Sequence, residues 1–184
     1  MDSLKTLKVL GVTGSILIFL GVIPYFSDIF NSIGGILFFI AIYKTGKILK
    51  DKSIFHKFFT GFVIEISGIF FGVAIVLIFF PKFFEFKSYI SAIIGFLIIY
   101  PFIIIGSNFY KKSFALIALH TNNKFFKLAG DFMLWGAVGI IFFGLGLILI
   151  YAGWFILIRA FLSLPNTTRK EESGRADANT AVNT

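Results

Sequence analysis

The chain contains no cysteine, which removes disulfides, thiolate metal centres, lipid-modified cysteine and thiol nucleophiles from consideration. Charge is scarce as well. Asp, Glu, Lys and Arg make up 14% of its 184 residues, against about 25% in ordinary globular chains. Two histidines, with no His-rich spacing, give no basis for a metal site. The sequence also lacks His-Glu-x-x-His, Gly-x-Ser-x-Gly, a P-loop and the dinucleotide-binding glycine fingerprint. With few polar side chains inside its apolar runs, an acid–base or nucleophile–base constellation is hard to assemble. We therefore expect no enzyme, no metal and no cofactor.

What is present is grease. Hydrophobic residues make up 58% of the chain, with 27 Phe and 18 Gly, more apolar surface than a core of this size can hide from water. Five apolar stretches stand out, at 9 to 27, 29 to 43, 58 to 80, 89 to 110 and 132 to 158. A membrane-spanning helix needs about 20 such residues. The expectation is an all-α polytopic membrane protein of about five spans. A single helical membrane domain covers 1 to 164, and a polar tail from 165 to 184, too poor in apolar residues to fold, is expected to be disordered. Pro24 to Asp28 has the composition of a turn, so the first two stretches form a hairpin. The second is short, because 15 residues reach only about 22 Å as helix. Lys111 to Lys127 continues the fourth span as helix and breaks at Thr121-Asn122-Asn123.

Lysines orient the bundle. With the N-terminus inside, the inner segments hold Lys5 and Lys8, then Lys44, Lys47, Lys50, Lys52 and Lys57, then Lys111, Lys112, Lys124 and Lys127. That is eleven of the seventeen basic residues, so an inside N-terminus in a cell membrane is favoured. An odd number of spans then puts the C-terminus outside. The formal charge of +8 becomes an inner belt. Lys44, Lys47, Lys50, Lys52, Lys111 and Lys112 are its candidate contacts with anionic lipid headgroups, and nucleic acid loses its support as a partner. A homo-oligomer or another membrane protein remains a possible partner. Asn166-Thr167-Thr168 matches a glycosylation sequon close to the membrane.

Gly136, Gly139, Gly146, Gly153 and Ala160 recur at intervals of 3 and 7, which places them on one face of a single long last helix. The rival is a break at Gly144-Leu145-Gly146 that makes a hairpin and returns the C-terminus inside. In the first case Arg159 snorkels at the outer end; in the second it approaches the depth of Glu65.

Glu65 is the carboxylate set well inside an apolar stretch. Gly61, Glu65, Gly68 and Gly72 fall at i, i+4, i+7 and i+11, so the carboxylate shares a face with three glycines and looks into a helix contact. A bare charge there costs at least about 2.5 kcal/mol, so the group must be protonated, paired or hydrated. Glu65 is thus the candidate ion or proton site. Its competing reading is a residue near the inner interface that only locks packing. Gly139, Gly146 and Gly153 join Gly61, Gly68 and Gly72 as helix-packing positions. Pro101 interrupts the fourth stretch and leaves one carbonyl without its usual donor, a kink that either shapes a pathway or is merely packed.

Lys5-Thr6-Leu7-Lys8-Val9-Leu10-Gly11 before a Gly-rich helix, the junction Asp51-Lys52-Ser53-Ile54-Phe55 ahead of Gly61-Phe62, and the closing Gly153-Trp154-Phe155-Ile156-Leu157 to Ser163-Leu164 are the stretches that matter here. Together they resemble a mainly prokaryotic integral-membrane family, domain of unknown function 996, over residues 4 to 164. The resemblance implies a compact multi-span membrane protein and brings no catalytic residue, substrate or cofactor. The sequence favours a scaffold, assembly partner or membrane-organising subunit; the alternative is a small oligomeric transporter or channel with Glu65 at the pathway.

Overall fold

A computed structural model describes residues 2–25, 27–79, 89–142 and 144–164. They form six helices: α1 (Asp2–Leu20), α2 (Ser27–Ile48), α3 (Lys52–Phe79), α4 (Tyr89–Thr121), α5 (Lys124–Gly139) and α6 (Leu145–Leu162). The connection with Lys82, Glu85 and Lys87, the sequon at Asn166 and the tail from 165 to 184 lie outside the described residues.

The helices are laid down as three antiparallel hairpins, and neighbours in sequence pack side by side. α6 also packs on α1, which closes the six into a ring. Each hairpin is pinched by a glycine from either arm. A Cβ on Gly34 would lie 3.0 Å from the Gly14 carbonyl oxygen, one on Gly61 2.8 Å from that of Gly106, and one on Gly136 2.8 Å from that of Gly146. Between apolar helices in an apolar solvent, close backbone approach of this kind supplies the association that hydrophobic burial supplies in water. Hydroxyls caught in the bundle are satisfied locally. Ser15 and Thr45 donate to the carbonyls of Gly11 and Ala41 one turn back, and Ser113 reaches across to Ile54 at 2.8 Å.

Phe38 is the hub of the core. Its ring meets those of Phe58, Phe114, Trp154 and Phe161, from α3, α4 and α6, at centroid distances between 4.9 and 6.2 Å.

Four helices are long and apolar enough to cross a membrane: α2, α3, and α4 and α6 over most or all of their lengths. This is the pattern of a multi-pass membrane protein. α1, a helix of 19 residues, carries Asp2, Lys5 and Lys8 in its first two turns. The second stretch is longer than expected. Helix α2 extends past Tyr43 to Ile48 and has 22 residues, because Lys44 and Lys47 sit in its last turns instead of ending it.

The expected single last helix is wrong. Gly144 adopts φ 77°, a left-handed conformation that reverses the chain between α5 and α6. The row of glycines at helical spacing is instead two rows that face one another: Gly136 and Gly139 lie against Gly146. With a hairpin there, the end of α6 does not lie opposite the start of α1. Lys8 Nζ donates to the Leu164 carbonyl at 2.6 Å, so the start of α1 and the end of α6 share one end of the bundle.

Asn122 and Asn123 turn the chain between α4 and α5 as expected. Asn122 takes a positive φ of 53°, which Asn tolerates better than most residues. The Asn123 side-chain oxygen accepts from the Phe125 N–H at 3.1 Å and caps α5, while its amide donates to the Ala160 carbonyl and to Ser163 Oγ, both at 2.9 Å. One side chain thus ties the beginning of α5 to the end of α6.

Candidate functional site

Helix α3 presents Gly61, Glu65, Gly68 and Gly72 to α4 as the spacing requires. Gly61 meets Gly106, Gly68 meets Phe102 and Gly72 meets Ile99. Glu65 itself lies against Gly106, whose missing side chain makes room for the carboxyl. One turn on, the Tyr110 hydroxyl donates to Glu65 Oε2 at 2.8 Å, and the buried Ser107 hydroxyl is also within hydrogen-bonding reach. Neither partner was anticipated from sequence. The trace they leave is Gly106-Ser107-x-x-Tyr110, which puts a gap and two donors on one face of α4.

This group stands about 12 Å along α3 from Lys57, on the wall of a cavity of about 620 Å³. All six helices contribute to the lining: Ile18, Phe38, Glu65, Tyr110, Met133 and Trp154 stand for them in order. The wall is apolar apart from Glu65, Tyr110 and the Asn31-Ser32 pair toward the far end of α2. Ile36, Ile40 and Phe62 line the cavity and are exposed, so its mouth lies between α2 and α3.

Pro101 is not part of this arrangement. It is exposed on α4, the helix continues through it, and it is absent from the cavity lining. Arg159 does not reach Glu65 either. Its guanidinium stacks over Phe125 at 5.5 Å, at the end of the bundle where the α2–α3 and α4–α5 junctions lie. Gly139 and Gly146 pack together and Gly153 packs on Met133 and Ala129, inside the chain and not toward a partner.

All twelve Lys and Arg among the described residues gather at that same end. Lys47, Lys50, Lys52 and Lys112 are exposed there, with Lys44 and Lys111 half-buried. Lys111 pairs with Asp131 at 2.9 Å and Lys112 stands over the Phe109 ring. His120 Nε2 lies 2.9 Å from Asp51 Oδ2 and clasps the end of α4 to the α2–α3 turn. The Ser53 hydroxyl and then His120 hold the Asp51 carboxyl below the usual carboxylate range.

Comparison with known proteins shows a family and adds no activity. The uncharacterised protein MJ1644 of Methanocaldococcus jannaschii is 28% identical over 175 residues, covering 91% of this chain and 97% of its own length. No solved structure matches. The model of a protein family of unknown function, DUF996, matches residues 30–155, which include Glu65, Ser107, Tyr110, most of α2 and all of α3 through α5; the chain belongs to that family.

Proposed function

We propose that the protein is a small membrane carrier or channel in which the Glu65 cavity binds a proton or a small cation in transit. The observation that carries this reading is the position of a mid-span carboxyl, held by the Tyr110 hydroxyl, on the wall of a cavity to which every helix contributes. Such a carboxyl is costly to keep and marks a pathway or relay where it faces an internal space. The scaffold reading drew on the glycine faces for helix contacts. Those faces are consumed within the three hairpins, so it ranks second. The cationic end belongs on the cytoplasmic side of a cell membrane, where its lysines meet anionic headgroups, and both ends of the described chain lie there with it. No catalytic step is assigned to the site, and a homo-oligomer is compatible with it.

The test is flux in proteoliposomes loaded with a pH-sensitive dye. Wild-type protein should dissipate an imposed proton or potassium gradient and Glu65→Gln should not, with both proteins eluting alike in detergent. Equal flux from the two proteins, or none from either, removes the carrier reading and restores the scaffold.

A further inference from the structure

A second cavity of about 620 Å³ lies at the cationic end of the same α2–α3 seam. Lys47, Lys50, Lys52 and His56 surround it, and Tyr43, Phe55 and Phe59 line it with rings. Among the described residues no carboxylate lines it. The nearby Asp51 is turned to Ser53 and His120. Lys50 is held over the basin by the positive φ of 55° at the turn between the helices. We infer that this basin is a binding site for an anionic phospholipid, with the phosphate among Lys47, Lys50, Lys52 and His56 and an acyl chain along the α2–α3 groove.

Charge complementarity identifies the head, since three lysines line a basin that no carboxylate of the described residues faces. The rings identify the tail. Tyr43 packs on Phe55 at 5.1 Å, Phe55 stacks on Phe59, and Phe39 meets Phe55, Phe59 and Phe62 at 5.3 to 6.0 Å. Phe39 and Phe62 line the mouth of the Glu65 cavity, so an unbroken apolar track leads from the lysines to that mouth. A free phosphate ion gains nothing from this track, whereas a lipid uses both ends of it. The inference rests on the membrane reading of the fold and is independent of any transport by Glu65.

Native mass spectrometry of protein extracted from vesicles of equal phosphatidylglycerol and phosphatidylcholine tests it. Wild-type protein should retain phosphatidylglycerol in preference to phosphatidylcholine. Each Lys→Gln change at Lys47, Lys50 and Lys52 should weaken that retention about fivefold and the triple change of all three should abolish it, while the triple change Lys112→Gln, Lys124→Gln and Lys127→Gln, which removes the same charge elsewhere on the belt, should leave it. Phe59→Ala, at an exposed position, should weaken it several-fold, and Glu65→Gln should leave it intact. Thermal unfolding of each variant verifies that the bundle persists. Equal loss in both triple variants, no preference between the two lipids, or displacement by millimolar inorganic phosphate would overturn the site.

Discussion

Glu65 survives in an apolar helix because its surroundings are shaped for it: Gly106 leaves the volume, and Tyr110 supplies a donor. A hydrogen bond of this kind contributes about 1 kcal/mol net, and more when its loss strands a buried acceptor. Tyr110→Phe keeps the ring against Phe58, at 4.9 Å, and removes only the donor. It should lower stability in detergent by about 1 kcal/mol, and the loss should shrink in a Glu65→Gln background, where the carboxyl it served is already replaced. A thermal-unfolding double-mutant cycle measures this, and strict additivity would show that the two groups do not interact. At the cationic end, Asp51 has a pH signature of definite sign. A carboxyl whose folded value is lowered adds stability above its unfolded value, and that contribution disappears as the pH falls through the folded value. Asp51→Asn should therefore lower the unfolding midpoint at neutral pH, by a small amount because the pair is solvated. The gap between variant and wild type should close as the pH drops below about 4. A gap that widens toward acid would contradict the assignment.

The hairpins make the glycines unequal. At Gly146 an added methyl would run into the Gly136 carbonyl oxygen and the Ile140 nitrogen, both backbone, so the two helices would have to part. At Gly35 an added methyl meets nothing. Gly146→Ala should cost about 1–3 kcal/mol as overpacking, whereas Gly35→Ala should be neutral or slightly stabilising through helix propensity. Unfolding in one detergent compares the two directly, and equal effects would mean that the α5–α6 contact is not as close as described. The same contrast explains what could be read from sequence. The face that carries Gly61, Glu65, Gly68 and Gly72 was legible because all four lie on one helix and share its period. The break at Gly144 was not, since glycines spaced for one face of a long helix are spaced equally well for two short helices pressed together. Only the backbone conformation at Gly144 separates the cases. Tyr110 and Ser107 were hidden for a related reason: they meet Glu65 across a helix pair, and the register between α3 and α4 is set by contacts that no single helix displays.

The closed ring makes the termini of the described chain neighbours. Single cysteines at Lys50 and Ser163, introduced into this cysteine-free background, should label from one side of a vesicle, and one at Ile23 from the other. Labelling of Ser163 together with Ile23 would reinstate an uninterrupted last helix. The cavity could not be foreseen from any one stretch, since its wall takes a residue from each helix in turn and exists only when all six are assembled. That dependence bears on how the molecule is made. The Lys8–Leu164 bond joins positions 156 residues apart, and α6, which seats Phe161 against Gly11 and Trp154 against Phe38, leaves the ribosome after the other five helices. In a membrane, α1 to α5 made before α6 would form an open arc with its inner face toward lipid. Completion of α6 would close that arc, and lipid chains along the inner face would leave by the α2–α3 mouth or stay inside.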